Sequence, residues 1–193
     1  MSADLSARIV GEGHQKVNFA IVAAGENAAS PHHHAGSRVI AENEIVLCDF
    51  GGTMNGYCSD ITRCVFTGDL QSAAPDIAEA YAVLQAAQQA AMQAAVVGTP
   101  CEDVDRAART IIAAAGYGDY FVHRTGHGIG MEEHEDPYIV EGNTRLLEPG
   151  HAFSIEPGIY VPGKWGMRLE DIAVAAVEGP VALNRVEHGL VEV

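Results

Sequence analysis

The chain has 193 residues, of which 48% are hydrophobic and 19% are charged, and this composition excludes an intrinsically disordered protein and favours one globular domain with a buried core. It carries 26 acidic against 11 basic residues, and the resulting formal net charge of −15 argues against a nucleic acid as partner. No stretch approaches the roughly 20 consecutive apolar residues that a membrane-spanning helix requires, so we expect no membrane partner.

The N-terminal segment and the cysteines indicate the cellular compartment. The initial segment MSADLSARIVGEGH lacks the basic and then apolar order of a secretory signal peptide, and we therefore expect a cytoplasmic protein. The four cysteines form no CxxC pair and are too few for a disulfide scaffold in a chain of this length. We predict that Cys48, Cys58, Cys64 and Cys101 are free thiols.

The first part of the chain predicts the end of a helix and three strands. The first dozen residues are compatible with a helix, and residues 17–23 have the β-branched and aromatic content of a buried strand. After a loop rich in Gly, Ser, Pro and His (25–37), residues 45–50 predict a second strand, which Gly51 and Gly52 break. Residues 57–66 predict a third strand that returns beside the second as a hairpin.

Two helices are predicted in the middle of the chain. Residues 75–97 are rich in Ala and Gln, begin with a proline and end before a glycine, which is typical of a long helix. Thr99, Pro100 and Glu102 follow the capping-box pattern, with Thr99 as N-cap and Pro100 as the first helical residue. Apolar residues then recur at helical spacing until Gly116 ends this second helix.

The last part of the chain predicts a loop and further strands. The loop spans residues 123–135 and is rich in Gly and His. Residues 152–155 and 167–177 predict strands, and the turn-rich segment 157–166 separates them. No low-complexity linker divides the chain, so one domain over residues 1–193 is the simplest interpretation.

A weak internal repeat connects the two halves. In the first half an apolar strand ends in Asp49 and a second strand carries Asp60, eleven residues later; in the second half Glu156 and Glu170 stand fourteen residues apart in the same arrangement. A loop that contains histidine precedes each pair. The repeat therefore predicts four carboxylates presented by paired strands.

These acids require neutralisation. An unpaired buried carboxylate is unfavourable, and only Arg63 and Arg168 lie near the four acids in sequence, too few to pair with all of them. A pair of divalent cations would solve the problem. Oxygen ligands with one or two imidazoles suit manganese, cobalt, iron or zinc.

Histidines in two loops are candidate partners of these acids. His123, His127 and His134 are spaced by four and seven residues among glycines that allow close backbone approach, which favours a functional role over a solvated loop. The run of three histidines at 32–34 is ambiguous, because it also suits a solvated loop or nonspecific metal binding.

Five segments occur in the order typical of one enzyme family: NAASPHH, DFGGTMNGYCSDITR, HRTGHGIGMEEHEDP, SIEPGIY and GMRLED. From about residue 17 to its C-terminus, the chain therefore resembles the proline-specific branch of the M24-type pita-bread metallopeptidases, which includes Xaa-Pro aminopeptidase and prolidase. The resemblance implies an α+β pita-bread (creatinase/aminopeptidase) fold. In that fold a pseudo-twofold repeat forms a curved, mostly antiparallel sheet that helices cover on its outer face.

The resemblance also implies the site residues. The metal ligands would be Asp49, Asp60, His127, Glu156 and Glu170, holding two divalent ions per chain, with manganese favoured over cobalt, zinc or iron. Asp60 and Glu170 would bridge both ions, Asp49 would bind one, and His127 with Glu156 would bind the other. The catalytic groups would be Glu156 as general base, His32, His123 and His134 at the substrate, and Arg168 as an orienting group. The implied substrate is a peptide with proline at its second position, and the implied assembly is a homodimer.

Several alternatives stay open at this point. A GHGIG loop also occurs in methionine aminopeptidases, although SIEPGIY followed by GMRLED favours the proline-specific branch. A non-catalytic pita-bread binding module is a further alternative, and it is disfavoured because all five ligands are present. The sequence does not decide between a dipeptidase and an aminopeptidase. Complete members carry more sequence before the position of Val17, so we expect an N-terminally truncated catalytic domain without a separate N-terminal domain.

Overall fold

The structure is a computed structural model that describes residues 1–72 and 75–193. Its α-helices are α1 (Ser2–Gly11), α2 (Pro75–Ala94) and α3 (Cys101–Ala114). Its strands are β1 (Lys16–Ala24), β2 (Ile45–Met54), β3 (Tyr57–Cys58), β4 (Ile61–Phe66), β5 (Gly126–Gly128), β6 (Glu135–Ile139), β7 (Ala152–Ile155), β8 (Gly158–Val161), β9 (Trp165–Arg168), β10 (Asp171–Val174), β11 (Val181–Ala182) and β12 (Val191–Glu192). Short 3-10 helices occupy Gly25–Ala29, Leu70–Ser72 and Gly118–Tyr120.

The strands form two five-stranded sheets and one two-stranded hairpin. The first sheet has the order β1-β2-β4-β12 with β3 added to β2, the second has the order β11-β10-β7-β5-β6, and β8 pairs with β9. The pairings are antiparallel except for the parallel pair β4–β12. A backbone bridge between Thr62 and Glu170 joins the two sheets. The strands are therefore mostly antiparallel, as expected, but they are divided between two larger sheets and a separate hairpin.

Strand β2 is longer than predicted and continues through Gly51 to Met54. A side chain at position 51 would overlap the carbonyl oxygen of Ser59 and the ring of Phe19, so this glycine allows neighbouring segments to approach the strand closely. The prediction that Gly51 and Gly52 break the strand is therefore wrong. At this position glycine permits close packing of neighbouring segments and does not end strand β2.

Two predicted strands are each divided at an acidic residue. Residues 57–66 form β3 and β4, which Ser59 and Asp60 separate; in the segment predicted as 167–177, Leu169 and Glu170 separate β9 from β10. Two segments predicted as loop or turn contain short strands, namely β5 within residues 123–135 and β8 within residues 157–166. Strands of three or four residues are too short for a clear alternation of apolar residues, so the sequence pattern did not show them.

The beginning of α3 differs from the predicted capping box. The helix begins at Cys101, Pro100 occupies the N-cap position, and no side chain caps it. The free amides at its start instead donate to backbone oxygens of a distant loop, from Cys101 N to Arg145 O at 2.9 Å and from Glu102 N to Asn143 O at 2.9 Å. Tertiary contacts therefore replace the local cap that the sequence predicted.

The other helix boundaries follow the sequence closely. Helix α2 begins at Pro75 as predicted and ends at Ala94, three residues before the predicted end. Gly116 follows α3 with a φ of +85°, in the left-handed region that commonly ends helices, and this prediction is confirmed.

Helices α2 and α3 pack against the strands through a buried apolar cluster. Its members include Leu84 of α2, Ile112 of α3, and Phe153, Ile155 and Met167 of the strands, all with at most 1% exposure. Burying one such side chain stabilises the fold by about 1.5–3 kcal/mol. The strand ends that carry the acids are therefore anchored to a rigid core. No helix among the described residues is both long and apolar enough to cross a bilayer.

Candidate metal centre

The predicted site residues line one cavity of about 700 Å³. It contains all nine of them: His32, Asp49, Asp60, His123, His127, His134, Glu156, Arg168 and Glu170. Asp49 lies in β2, Asp60 precedes β4, His127 lies in β5, Glu156 follows β7 and Glu170 precedes β10. Both sheets therefore contribute carboxylates to the same place.

Asp60, His127 and Glu170 form the tightest group of possible metal ligands. One ligand atom of each lies within 4.8 Å of the others, and all three residues are buried. His127 Nδ1 lies 3.1 Å from the carbonyl oxygen of Gly128, so Nδ1 carries a hydrogen and donates it. Nε2 lies 3.2 Å from an oxygen of Glu156 and 3.9 Å from an oxygen of Asp60. The hydrogen bond at Nδ1 therefore orients the ring so that Nε2 faces the acids, where it would be the metal ligand.

The backbone around His127 is fixed by contacts with β7. Gly126 allows β5 to approach β7, because a side chain at this position would overlap the carbonyl oxygen of Ser154. The backbone amide of His127 donates to Ser154 Oγ at 3.0 Å, and the same hydroxyl donates to Glu156 at 3.0 Å. Ser154 therefore holds the imidazole and the carboxylate in one arrangement.

Two oxygen atoms of the site have no hydrogen-bond partner. They are Asp49 Oδ1 and Asp60 Oδ1, which are buried and unpaired among the residues that the structure describes. The other oxygen of Asp49 accepts a hydrogen bond from Arg168. Leaving a buried acceptor unpaired is unfavourable by about 1–3 kcal/mol, and more for a charged group. Divalent cations would satisfy both oxygens, and a set of carboxylates with one imidazole suits the metals named above.

The pKa values of the acids indicate an excess of negative charge. Burial and the neighbouring carboxylates raise the pKa values of Asp60 and Glu170 well above their usual range, although Arg168 opposes this. Burial also raises the pKa of Asp49. Glu156 differs: burial favours its neutral form, but the hydrogen bond and charge of His127 outweigh this and lower its pKa to about 2. Arg168 alone is therefore insufficient to balance the four acids.

A hydrogen-bonded chain connects Arg168 to His123. Arg168 donates to the hydroxyl of Tyr160 at 2.6 Å and to Thr62 Oγ1 at 3.2 Å. The Tyr160 hydroxyl lies 2.9 Å from His123 Nε2, while His123 Nδ1 lies 2.7 Å from the carbonyl oxygen of Arg124. Nδ1 is therefore the donor, and Nε2 accepts from Tyr160. Burial lowers the pKa of His123, so the ring is neutral at neutral pH.

The remaining predicted histidines lie at the rim of the cavity. The His134 ring is 4.2 Å from the His127 ring at an angle of 71°, and burial lowers the pKa of His134. His32 is exposed and lines the same cavity. Arg63, which lies near the acids in sequence, pairs with none of the four and instead forms an ion pair with Asp171 at 2.6 Å.

Three residues that contact the predicted site residues were missed by sequence reasoning. Thr62 donates to Glu170 at 2.6 Å, Ser154 donates to Glu156, and Tyr160 links Arg168 to His123. All three belong to the segments DITR and SIEPGIY. A polar residue in a strand is equally expected on a solvated face, so only the folded structure shows their contacts.

Comparison with known proteins gives a consistent result. The model of metallopeptidase family M24 matches residues 1–176. The probable dipeptidase PepE of Mycobacterium tuberculosis is 50% identical over 194 residues, which cover 100% of this chain and 51% of that protein. The Xaa-Pro dipeptidase of Lactobacillus delbrueckii subsp. lactis is 49% identical over 159 residues, which cover 82% of this chain and 42% of that protein.

A solved structure extends the comparison to three dimensions. The recombinant prolidase from Thermococcus sibiricus superimposes with a TM-score of 0.96 at 40% identity, covering 100% of this chain and 52% of that one. The expected pita-bread fold is thereby confirmed. The chain spans about half the length of the curated relatives it matches.

Proposed function

Because this chain belongs to metallopeptidase family M24, we propose that it is the catalytic domain of a dinuclear-metal peptidase that hydrolyses Xaa-Pro peptide bonds. Among the possible substrates, we propose Xaa-Pro dipeptides. Residues 1–193 would act as one domain. The observation that carries the proposal is the convergence of four acids and His127 in one cavity, where two buried carboxylate oxygens lack a partner.

The residues present fit a pair of divalent cations. Asp60, His127 and Glu170 would hold them together with Asp49 and Glu156. When bound, such cations supply a nucleophile from water at neutral pH and polarise the scissile carbonyl. The metal identity and count are part of the proposal, and manganese is the first metal to test.

The protein's own groups would receive and hold the proton. We propose the carboxylate of Glu156 as the proton acceptor; in the metal-free chain its pKa is lowered to about 2, and it is therefore ionised at neutral pH. The hydroxyl of Ser154 donates a hydrogen bond that orients it. Neutral His123 would contact the substrate, with its ring orientation fixed by Tyr160 and by the carbonyl oxygen of Arg124.

Arg124 supports a dipeptide as the substrate. It lines the cavity, and its guanidinium carbon lies 4.7 Å from the centroid of the Tyr138 ring. Arg168, the other lining arginine, is engaged with Asp49 and Tyr160, whereas no carboxylate within residues 1–72 and 75–193 pairs with Arg124. A free cation at this position would pair with the terminal carboxylate of a short substrate.

Replacing Arg124 with alanine is expected to raise the KM for an Xaa-Pro dipeptide by about 10- to 100-fold, because a hydrogen bond to a charged group contributes about 1.5–3 kcal/mol. The corresponding Xaa-Pro amide, which lacks the carboxylate, should be affected much less. Steady-state kinetics with both substrates checks this, with the exposed Arg8→Ala as the matched control. An equal effect on dipeptide and amide would contradict the assignment.

The assembly and compartment are also proposals. We propose a homodimer, which is supported by exposed apolar side chains such as Val39 and Met131 at 84% and 74% exposure. A cytoplasmic location is supported by four free cysteines, two of them buried, since free thiols persist in reducing compartments. Sedimentation analysis at several concentrations tests the first, and fractionation of the source cells tests the second.

The test of the function is an assay of the purified chain with manganese, cobalt or zinc added. Xaa-Pro dipeptides, longer Xaa-Pro-Yaa peptides and Met-Yaa-Zaa peptides are offered in parallel, and products are separated by chromatography. We expect free proline from the dipeptides, loss of activity with a chelator, and a metal content near two per chain. Cleavage after methionine would favour a methionine-aminopeptidase-like enzyme. Metal binding without cleavage of any peptide would favour a non-catalytic binding module.

A further inference from the structure

The C-terminal residues 181–193, which we call the C-terminal strap, connect the two sheets. Strand β11 at the start of the strap pairs with β10, and strand β12 near its end pairs with β4. β10 begins directly after Glu170, and β4 begins directly after Asp60. The strap follows the segment that the family model matches, which ends at residue 176.

Asn184 of the strap connects the backbone at Asp60 to β10. Its amide nitrogen donates to the carbonyl oxygen of Asp60 at 2.9 Å, and its side-chain oxygen accepts from the amide of Ile172 at 2.7 Å. The amide of Leu183 also donates to the carbonyl oxygen of Ile172 at 2.8 Å. One side chain therefore fixes the position of Asp60 relative to the strand that follows Glu170.

Arg63 makes a second connection between the same elements. Its Nη1 donates to the carbonyl oxygens of Glu170 at 2.5 Å and Thr62 at 2.9 Å. Its Nη2 donates to the carboxylate of Asp171 at 2.6 Å and to the backbone carbonyl oxygen of Val186 in the strap at 2.9 Å. Its Nε donates to the backbone carbonyl oxygen of Glu187, also in the strap, at 3.1 Å. All five N–H donors of the guanidinium are thereby used.

His188 anchors the strap to Asp171 and to helix α2. Its Nε2 lies 2.6 Å from Asp171, whose same oxygen also accepts from Gln88. The carbonyl oxygen of His188 accepts from the Tyr81 hydroxyl and from Gln85, both at 2.9 Å. The strap is therefore held by the helix as well as by the strands that carry the acids.

We propose that the C-terminal strap, acting through Asn184, Arg63 and His188, is a positioning element that sets the distance between Asp60 and Glu170 for cation binding. The inference rests on the proposed function, because it requires the metal site. Asp60 and Glu170 directly precede strands of different sheets, and their carboxylates repel each other when ionised, so contacts between the sheets determine their separation. Outer contacts of this kind typically change metal affinity by about 10- to 100-fold.

The experiment compares manganese binding by isothermal titration calorimetry in wild type and in Asn184→Ala, His188→Ala and Leu183→Ala. Leu183 is the matched control, because it is the exposed neighbour of Asn184 on the strap, with 55% exposure. We expect the first two variants to raise the manganese Kd by about 10- to 100-fold and the control to change it by less than about twofold. His188→Gln retains an N–H donor toward Asp171, so it should restore much of the affinity.

The Tm of each variant, with and without manganese, separates positioning from a purely structural role. Positioning predicts that manganese raises the Tm of Asn184→Ala and His188→Ala by less than it raises that of wild type. Folded variants with a lower metal-free Tm but an unchanged manganese Kd would overturn the proposal. If Asn184→Ala does not fold, the result for His188→Ala tests the proposal. The side chain of His188 is 41% exposed, so its removal should be compatible with folding. A wild-type chain that binds no divalent metal would overturn the proposed function as well, whereas strap variants that bind like wild type would overturn the positioning role alone.

Discussion

Replacing Asp60 with asparagine is expected to reduce hydrolysis of Xaa-Pro substrates by more than about 100-fold, since changing only the outer partners of a metal ligand already costs about 10- to 100-fold. The amide has nearly the shape of the carboxylate but no charge, so it would bind a divalent cation weakly. Asp60 lies within the group of ligand atoms that are 4.8 Å or less apart, and one of its oxygens has no partner. Activity and metal content are both measured.

The same substitution should leave the fold intact. In the metal-free chain, burial and neighbouring carboxylates raise the pKa of Asp60 well above its usual range, so its charge opposes folding at neutral pH. The asparagine side chain removes that charge, and the metal-free variant should be at least as stable as wild type. Asp119→Asn, at an exposed position, is the matched control. Near wild-type turnover by Asp60→Asn with a normal circular dichroism spectrum would refute the metal-ligand assignment.

The metal-free chain should lose stability as the pH rises above about 4, where unperturbed carboxyl groups release their protons. Asp60 and Glu170 have raised pKa values in the folded state, so the folded chain retains protons that the unfolded chain has already released. Their contribution to stability is therefore fully present below the unfolded pKa and is lost as the pH rises through the folded pKa. The pKa of Glu156 is lowered in the folded state, so its contribution to stability changes with pH in the opposite direction. That contribution is lost only as the pH falls toward about 2, outside this range.

Thermal unfolding of chelator-treated protein measures this effect. One pKa unit corresponds to about 1.4 kcal/mol, and about 1 kcal/mol shifts the Tm of a chain of this size by roughly 2–4 °C, so a measurable decrease of the Tm is expected. Saturating manganese should remove most of the decrease, because the cations take the place of the protons. Repulsion among the other acidic side chains of this chain also lowers the Tm as the pH rises. The comparison of wild type with Glu170→Gln therefore isolates the contribution of the site. Equal slopes in wild type and this variant would show that the site does not cause the decrease.

The sequence predicted most of the site because its residues stand in short segments of distinctive composition. Four acids in apolar strands, few neighbouring basic residues and three histidines among glycines already indicated a cation site, and the structure brings these groups into one cavity. The start of α2 and the end of α3 also followed from proline and glycine, whose backbone restrictions act locally.

The tertiary structure alone decided the features that depend on residues far apart in the chain. The start of α3 is satisfied by backbone oxygens of Arg145 and Asn143 in place of the predicted side-chain cap, and Gly51 lies within a strand because other segments approach it. Tyr160 reaches His123 across 37 positions, and Asn184 reaches Asp60 across 124. A sequence pattern reports what each residue prefers locally, whereas hydrogen bonds across such separations exist only once packing has brought the partners together.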